Sequence, residues 1–233
     1  MDETSLGQRA RNRSEIWSNV AIGLAALVFA AILVYRDLWP RASGRAGTSD
    51  ALGGLFRAAD QMPGWRTLAD VGVWIGDSTA PNIVVGFMDF ECPFCRRFHS
   101  VYNNAQTVLG DSVAFLFVHF PLPGHRFAQL AAQVSMCAHE QGQFAAMHDR
   151  LLETQDSFGL KPWRDYASAA GVPDLDYFDR CVASREHHPL IAAGASRAAE
   201  LGLNATPTVI VNGWRHHVPP YDSLVTLIRR TTP

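Results

Sequence analysis

Apolar residues run along this chain in several rhythms, and each predicts a different element. From Ile16 to Tyr35 no charge interrupts a stretch rich in Ala, Leu, Val and Ile. At a rise of about 1.5 Å per residue it would cover roughly 30 Å, the thickness of a bilayer's hydrocarbon core. Trp17 at one end, with Tyr35 and Trp39 at the other, fall where interfacial aromatic residues sit. A transmembrane anchor over 16–39 is the expectation. The competing reading is a cleaved signal peptide, which needs a shorter apolar region and a small-residue cleavage site. Here Arg36-Asp37-Leu38-Trp39-Pro40 follows instead. Residues 40–63 carry Pro40, Ser43, Gly44, Gly47, Ser49, Gly53, Gly54 and Pro63, a linker composition with room for a short amphipathic helix around Asp50 to Gln61.

Beyond the linker the pattern becomes that of a folded domain, 64–233. Val71 to Ile75 gives a weak strand signal, and Ile83-Val84-Val85-Gly86-Phe87-Met88 reads as a buried strand. A helical pattern opens at Cys92-Pro93, and a second buried strand lies within Asp111 to His119. An alanine-rich helical stretch then fills about 124–200, broken at Gly142, Gly159, Gly171 and Pro189. Strand character returns at Thr208-Val209-Ile210-Val211. Asn212-Gly213 is a two-residue hairpin signal leading into Trp214–Val218, and a last helix runs from Tyr221 to Arg230. The order predicts an α/β domain: a strand–helix–strand unit, a long helical insertion, then an antiparallel hairpin and a helix.

Charge and composition narrow the chemistry. The net charge is −2 and basic clusters are lacking, which argues against nucleic acid as a partner. Lysine occurs once, at Lys161, which leaves little room for lysine-base or Schiff-base chemistry. The four cysteines are Cys92, Cys95, Cys137 and Cys181, an even set that suits one catalytic and one structural pair in an oxidising compartment.

Cys92-Pro93-Phe94-Cys95 is the motif with the most chemical content. Placed across the first turn of a helix, its first cysteine meets unpaired backbone N–H groups and the positive end of the helix dipole, both of which stabilise a thiolate. An exposed Cys92 is the expected nucleophile, and Cys95, one turn deeper, the resolving thiol. Pro93 fits a first helical turn, and Phe94 supplies no donor or charge, so a moderate oxidant is expected. The alternative, half of a zinc site, lacks two further ligands at metal spacing, since Cys137 and Cys181 stand alone. Asp89 and Glu91 read as solvated loop charges. The scattered histidines, including His139, His148, His187-His188 and His216-His217, read as surface or cap residues, with His99 one turn beyond Cys95 as a candidate perturber of the site. No metal or cofactor is expected.

Gly76-Asp77-Ser78-Thr79-Ala80-Pro81, Phe87-Met88-Asp89-Phe90-Glu91-Cys92-Pro93-Phe94-Cys95, His119-Phe120-Pro121-Leu122, Gln141-Gly142-Gln143-Phe144 and Thr206-Pro207-Thr208 together resemble the DsbA-like thiol–disulfide oxidoreductases, in their membrane-tethered bacterial branch. The resemblance runs from about Gly76 to the C-terminus. It implies a thioredoxin-like fold with an inserted helical subdomain, preceded here by the anchor. It also implies a cis Thr206–Pro207 bond facing the cysteines, with the Thr206 backbone pairing the substrate chain. A structural Cys137–Cys181 disulfide is implied too; two buried free thiols or a second redox relay are the alternatives. Some relatives keep a buried acid six residues before the first cysteine, where this chain has Gly86.

The expected function is thiol–disulfide exchange on extracytoplasmic proteins, in the oxidase direction, with a membrane redox partner and residues 1–15 in the cytoplasm. Flanking arginines do not orient the span: Arg9, Arg11 and Arg13 precede it, and Arg36, Arg41 and Arg45 follow. The disulfide chemistry does. A reductase or isomerase of protein disulfides is one rival reading, and a non-catalytic substrate-binding or chaperone module is another.

Overall fold

The computed structural model describes residues 60–184, 188–216 and 221–232. The expected anchor over 16–39 lies outside the described residues, as does nearly all of the linker. Among the described residues six strands form one sheet: β1 (Asp60–Gln61), β2 (Val73–Ile75), β3 (Asn82–Met88), β4 (Val113–His119), β5 (Thr208–Val211) and β6 (Trp214–His216), in the spatial order β1-β6-β5-β3-β4-β2. Only β3 and β4 are parallel, with Val84 opposite Phe115 and Gly86 opposite Phe117; the other pairings are antiparallel. Asp60 and Gln61, read from sequence as the end of the linker, instead form an edge strand on β6, and Arg215 reaches Asp60 at 2.6 Å. At the β5–β6 turn Asn212 and Gly213 both take positive φ (48° and 90°), the conformation the hairpin signal requires.

Helix α1 (Pro93–Leu109) supplies the crossover between the parallel strands. Cys95, Phe98, His99, Tyr102 and Ala105 recur at helical spacing and are its buried face. Alternation along the strands then gives the sheet two packed faces. Val84, Met88, Phe115, Phe117, Val209 and Val211 share a core with α1 and with α7 (Tyr221–Thr231). Val85, Phe87, Leu116, Val118 and Ile210 pack instead on Leu68, in the 3₁₀ segment Trp65–Val71, and on Ala198 of α6 (Pro189–Glu200). Gly194 permits this second contact: a Cβ there would lie 2.4 Å from the His119 carbonyl oxygen.

Between β4 and α6 the chain folds as four helices: α2 (Ala128–His139), α3 (Phe144–Glu153), α4 (Trp163–Ala169) and α5 (Leu175–Ala183). Their apolar faces belong to the same core as α1, and Cys137 of α2 is disulfide-bonded to Cys181 of α5, with Cα atoms 5.9 Å apart. Phe117 anchors the join between insertion and sheet. Its ring lies 4.9 Å from Phe90, 5.5 Å from Phe144 and 5.2 Å from His148. The histidines expected at the surface divide accordingly. His148 and His216 are buried, because the aromatic cluster and the sheet cover them. His188 does cap a helix, accepting from the Leu190 N–H at 3.3 Å.

Candidate active site

The cysteine pair sits where β3 ends and α1 begins. Cys92 is the N-cap of α1 and Pro93 its first residue. The Cys92 carbonyl accepts the N–H groups of Cys95 (3.0 Å) and Arg96 (3.2 Å), so the first turn closes, and the backbone N–H groups of Phe94 and Cys95 act on the Cys92 sulfur. Both thiols are unbonded. From across the sheet, the loop before β5 brings in the Thr206–Pro207 bond, which is cis. The Thr206 carbonyl oxygen lies 3.3 Å from Cys92 Sγ. Cys92, Cys95, Thr206 and Pro207 therefore meet at one place, whereas Cys137 and Cys181 lie in the insertion.

The two thiols are electrostatically unlike. Hydrogen bonding from the Cys95 thiol lowers Cys92 to about 5; burial opposes this, and the Thr206 side chain and the N–H groups of Cys95 and Phe94 add to it. The Thr206 hydroxyl is buried and has no hydrogen-bond partner among the described residues. Cys95 moves the other way. Burial pushes its thiol well up, helped by the charge on Cys92, and the Asp89 N–H at 3.4 Å opposes this only partly. Near neutral pH the pair is a monoanion with the negative charge on Cys92.

Cys92 was expected to be exposed, but only 3% of it is, because the Thr206–Pro207 loop and the insertion close over it. Phe94 is its open neighbour, 61% exposed. Phe90 and Phe158 are core residues. Gln155, from the 3₁₀ turn after α3, is a site residue that the sequence did not reveal. Its buried amide donates to the carbonyls of Phe90 (2.7 Å) and Cys92 (3.0 Å), pinning the turn that delivers the cysteine.

Asp89 and Glu91 are not solvated loop charges. The Asp89 carboxylate is fully buried, and accepts from the N–H groups of Glu91 and Leu122 (both 2.8 Å) and from His125 Nδ1 (2.6 Å). Glu91 accepts from the N–H of Phe127, which precedes the first turn of α2. Both acids bind the active-site turn to the loop after β4, where unpaired backbone N–H groups need acceptors. The acid position before the motif is closed for a steric reason: a Cβ on Gly86 would lie 2.6 Å from the Phe115 ring.

His99 is committed to other partners rather than to the cysteines. It meets Asp149 at 2.8 Å and Asn103 at 2.9 Å. His148 Nδ1 meets the same Asp149 oxygen at 2.9 Å, and the three donor atoms lie within 4.8 Å of one another. As a metal ligand His148 would need a partner on its far nitrogen, but Nε2 is buried without one. Asp149 bridging two imidazoles accounts for the cluster. Burial raises the Asp149 carboxyl, but the two histidines outweigh it and hold the group below the usual carboxylate range.

A thioredoxin family model matches residues 69–230. Among curated relatives, Na(+)/H(+) antiporter NhaA 1 of Mycolicibacterium vanbaalenii is 37% identical over 147 residues, covering 62% of this chain and 24% of that protein. NhaA 3 of Salinispora tropica is 38% identical over 145 residues, covering 62% of this chain and 22% of that protein. The chain thus spans about a quarter of the length of these relatives. Among solved structures, oxidised BdbD from Bacillus subtilis superposes with a TM-score of 0.62 at 22% identity, over 70% of this chain and 94% of that one. Wolbachia pipientis alpha-DsbA1 gives 0.59 at 19% identity, over 69% and 90%. The chain belongs to the thioredoxin family, and its fold is shared with BdbD and alpha-DsbA1.

Proposed function

We propose that the chain is a membrane-anchored, extracytoplasmic oxidase that introduces disulfides into secreted or membrane proteins. The observation that carries the direction is the asymmetry of the pair. A Cys92 thiolate stabilised down to about 5 favours the reduced form, and a couple whose reduced form is stabilised is a strong oxidant. The Cys137–Cys181 disulfide supports an oxidising compartment, and the uncharged run over 16–35 supports the anchor. Antiport stays with the much longer relatives that bear that name.

In the oxidase direction a substrate thiolate attacks the Cys92 sulfur of the disulfide, and Cys95 leaves with the electron pair and takes up a proton. The substrate's second thiolate then attacks its own sulfur in the mixed disulfide. Cys92 leaves as the stabilised thiolate, and the low basicity of that leaving group favours release. Two electrons have moved from substrate to chain, and a membrane redox partner must remove them for turnover. Phe94, open beside the sulfur, and the Thr206 backbone are the surfaces that meet the substrate chain.

Mixing the oxidised full chain with a reduced, cysteine-bearing secreted protein tests this. Loss of substrate thiols matched by appearance of Cys92 and Cys95 thiols is expected, and a Cys95→Ser chain mixed with the disulfide form of the substrate should accumulate a mixed disulfide at Cys92, one substrate cysteine leaving as thiolate. If the reduced chain opens substrate disulfides while the oxidised chain leaves dithiols untouched, the protein is a reductase. A Cys92→Ser chain with full activity would make it a binding module.

A further inference from the structure

The Pro93-Phe94 dipeptide offers the Cys92 thiolate no cation, and of the two basic residues that follow Cys95, Arg96 and Arg97, the first pairs with Asp156 at 2.6 Å. A cation does approach from another element. His125 lies in the loop between β4 and α2, and that loop is fastened to the active-site turn at three points. Asp89 holds the Leu122 N–H and His125 Nδ1, and Glu91 holds the Phe127 N–H. Asp89 itself is bound to both cysteines through its backbone. Its carbonyl accepts the Cys92 N–H at 3.2 Å and its N–H donates to Cys95 Sγ at 3.4 Å. His125 is thus one buried carboxylate away from the turn that carries both sulfurs.

The Asp89 side chain has no solvent exposure, and a carboxylate buried so completely demands a countercharge. His125 supplies it while remaining 28% exposed through the rest of its ring, so it can exchange its proton with water. Burial disfavours the charged imidazole, but the Asp89 bond and the charges of Asp89, Cys92 and Glu91 outweigh it and move the group up. Those three are the titratable groups that act on it, all from the segment between β3 and α1.

We propose that His125, hydrogen-bonded to the buried Asp89, is the positioning residue that tunes the Cys92–Cys95 couple, acting from the loop after β4 as a histidine between the cysteines would act from inside the motif. The inference rests on the thiol–disulfide reading above. Its physical content is a charge pair present in only one redox state. The dithiol form carries a thiolate that attracts the imidazolium, and the disulfide form carries no charge there. The reduced form is therefore favoured, and by linkage His125 holds its proton more tightly in the reduced protein than in the oxidised one.

The test equilibrates the full chain with glutathione and titrates the thiolate by its ultraviolet absorbance, for wild type, His125→Gln and His125→Lys. Gln keeps a donor for Asp89 but no charge. It should shift the equilibrium about tenfold toward the disulfide, about 30 mV for a two-electron couple, and raise the Cys92 midpoint by about one pH unit. Lys should recover most of both. A His125→Gln chain with the wild-type equilibrium and midpoint overturns the proposal. If that variant does not fold, the His125 ring is titrated by NMR in the reduced and oxidised wild-type chain, where identical midpoints overturn it. A wild-type chain with no reversible couple and no low-titrating thiolate would instead sink the thiol–disulfide reading itself.

Discussion

The chain holds two cysteine pairs, and their surroundings differ in every respect that matters for redox chemistry. Cys92 and Cys95 are three residues apart at a helix start, among N–H groups, a hydroxyl and a carbonyl that respond to charge on sulfur. Cys137 and Cys181 are 44 residues apart and join two helices of the insertion. The Gln133 amide lies 3.5 Å from Cys137 Sγ and 3.8 Å from Cys181 Sγ, and a Glu140 carboxylate oxygen lies 3.8 Å from Cys181 Sγ. The first pair is built so that reduction creates a stabilised charge, and the second so that a loop stays closed. The same residue type is a reagent in one place and a staple in the other because of what surrounds it.

The contrast can be broken most severely at Cys92. Cys92→Ser is expected to abolish exchange altogether in a substrate-oxidation assay, while Cys137→Ala/Cys181→Ala should leave the exchange equilibrium of Cys92–Cys95 unchanged. The next effect is that of pH on the reduced protein. Cys92 titrates near 5 when folded and about 8.5 in an unfolded chain, so its folded value is depressed. The stability it contributes is complete above the unfolded value and is lost as pH falls through about 5. It is worth up to about 5 kcal/mol, and the oxidised protein lacks it. Denaturant melts of both forms between pH 4 and 9 should show the reduced form's advantage disappearing at the acid end.

The staple is weighed in the same melts. Removing Cys137–Cys181 should cost about 4 kcal/mol on the chain-entropy account of its loop, in both redox states of the first pair. A loss confined to one redox state would mean that the two pairs are coupled. The smallest expected effect is at Gln155. Gln155→Leu leaves the buried Phe90 and Cys92 carbonyls each short of a partner, at about 1–3 kcal/mol. It should also slow substrate oxidation by loosening the turn that presents Cys92, measurable as a single-turnover rate.

Much of this was legible in the sequence because it is local. Alternating or continuous apolar residues marked β3, β4 and β5, Asn212-Gly213 marked the hairpin, and Cys92-Pro93 marked a helix start. What escaped depends on residues far apart in the chain. Asp89 and His125 are 36 residues apart, and nothing near either one signals that a carboxylate will be buried and paired. His148 lies in an amphipathic helix whose core-facing side includes it only because Phe117 and Phe144 build an aromatic pocket there. Gln155 looks like any polar residue at a helix end until the cysteine turn is folded against it. Asp60–Gln61 is too short to show a period, and becomes a strand because β6 offers an unpaired edge.

The central claim, that this site is built to hold Cys92 as a thiolate and so to give its disulfide away, is tested most directly by the reduction potential of Cys92–Cys95 in the full chain against glutathione. The account predicts a value near or above about −150 mV, in the range of disulfide donors. A value near −250 mV or below, in the range of thioredoxin-like reductants, would contradict it.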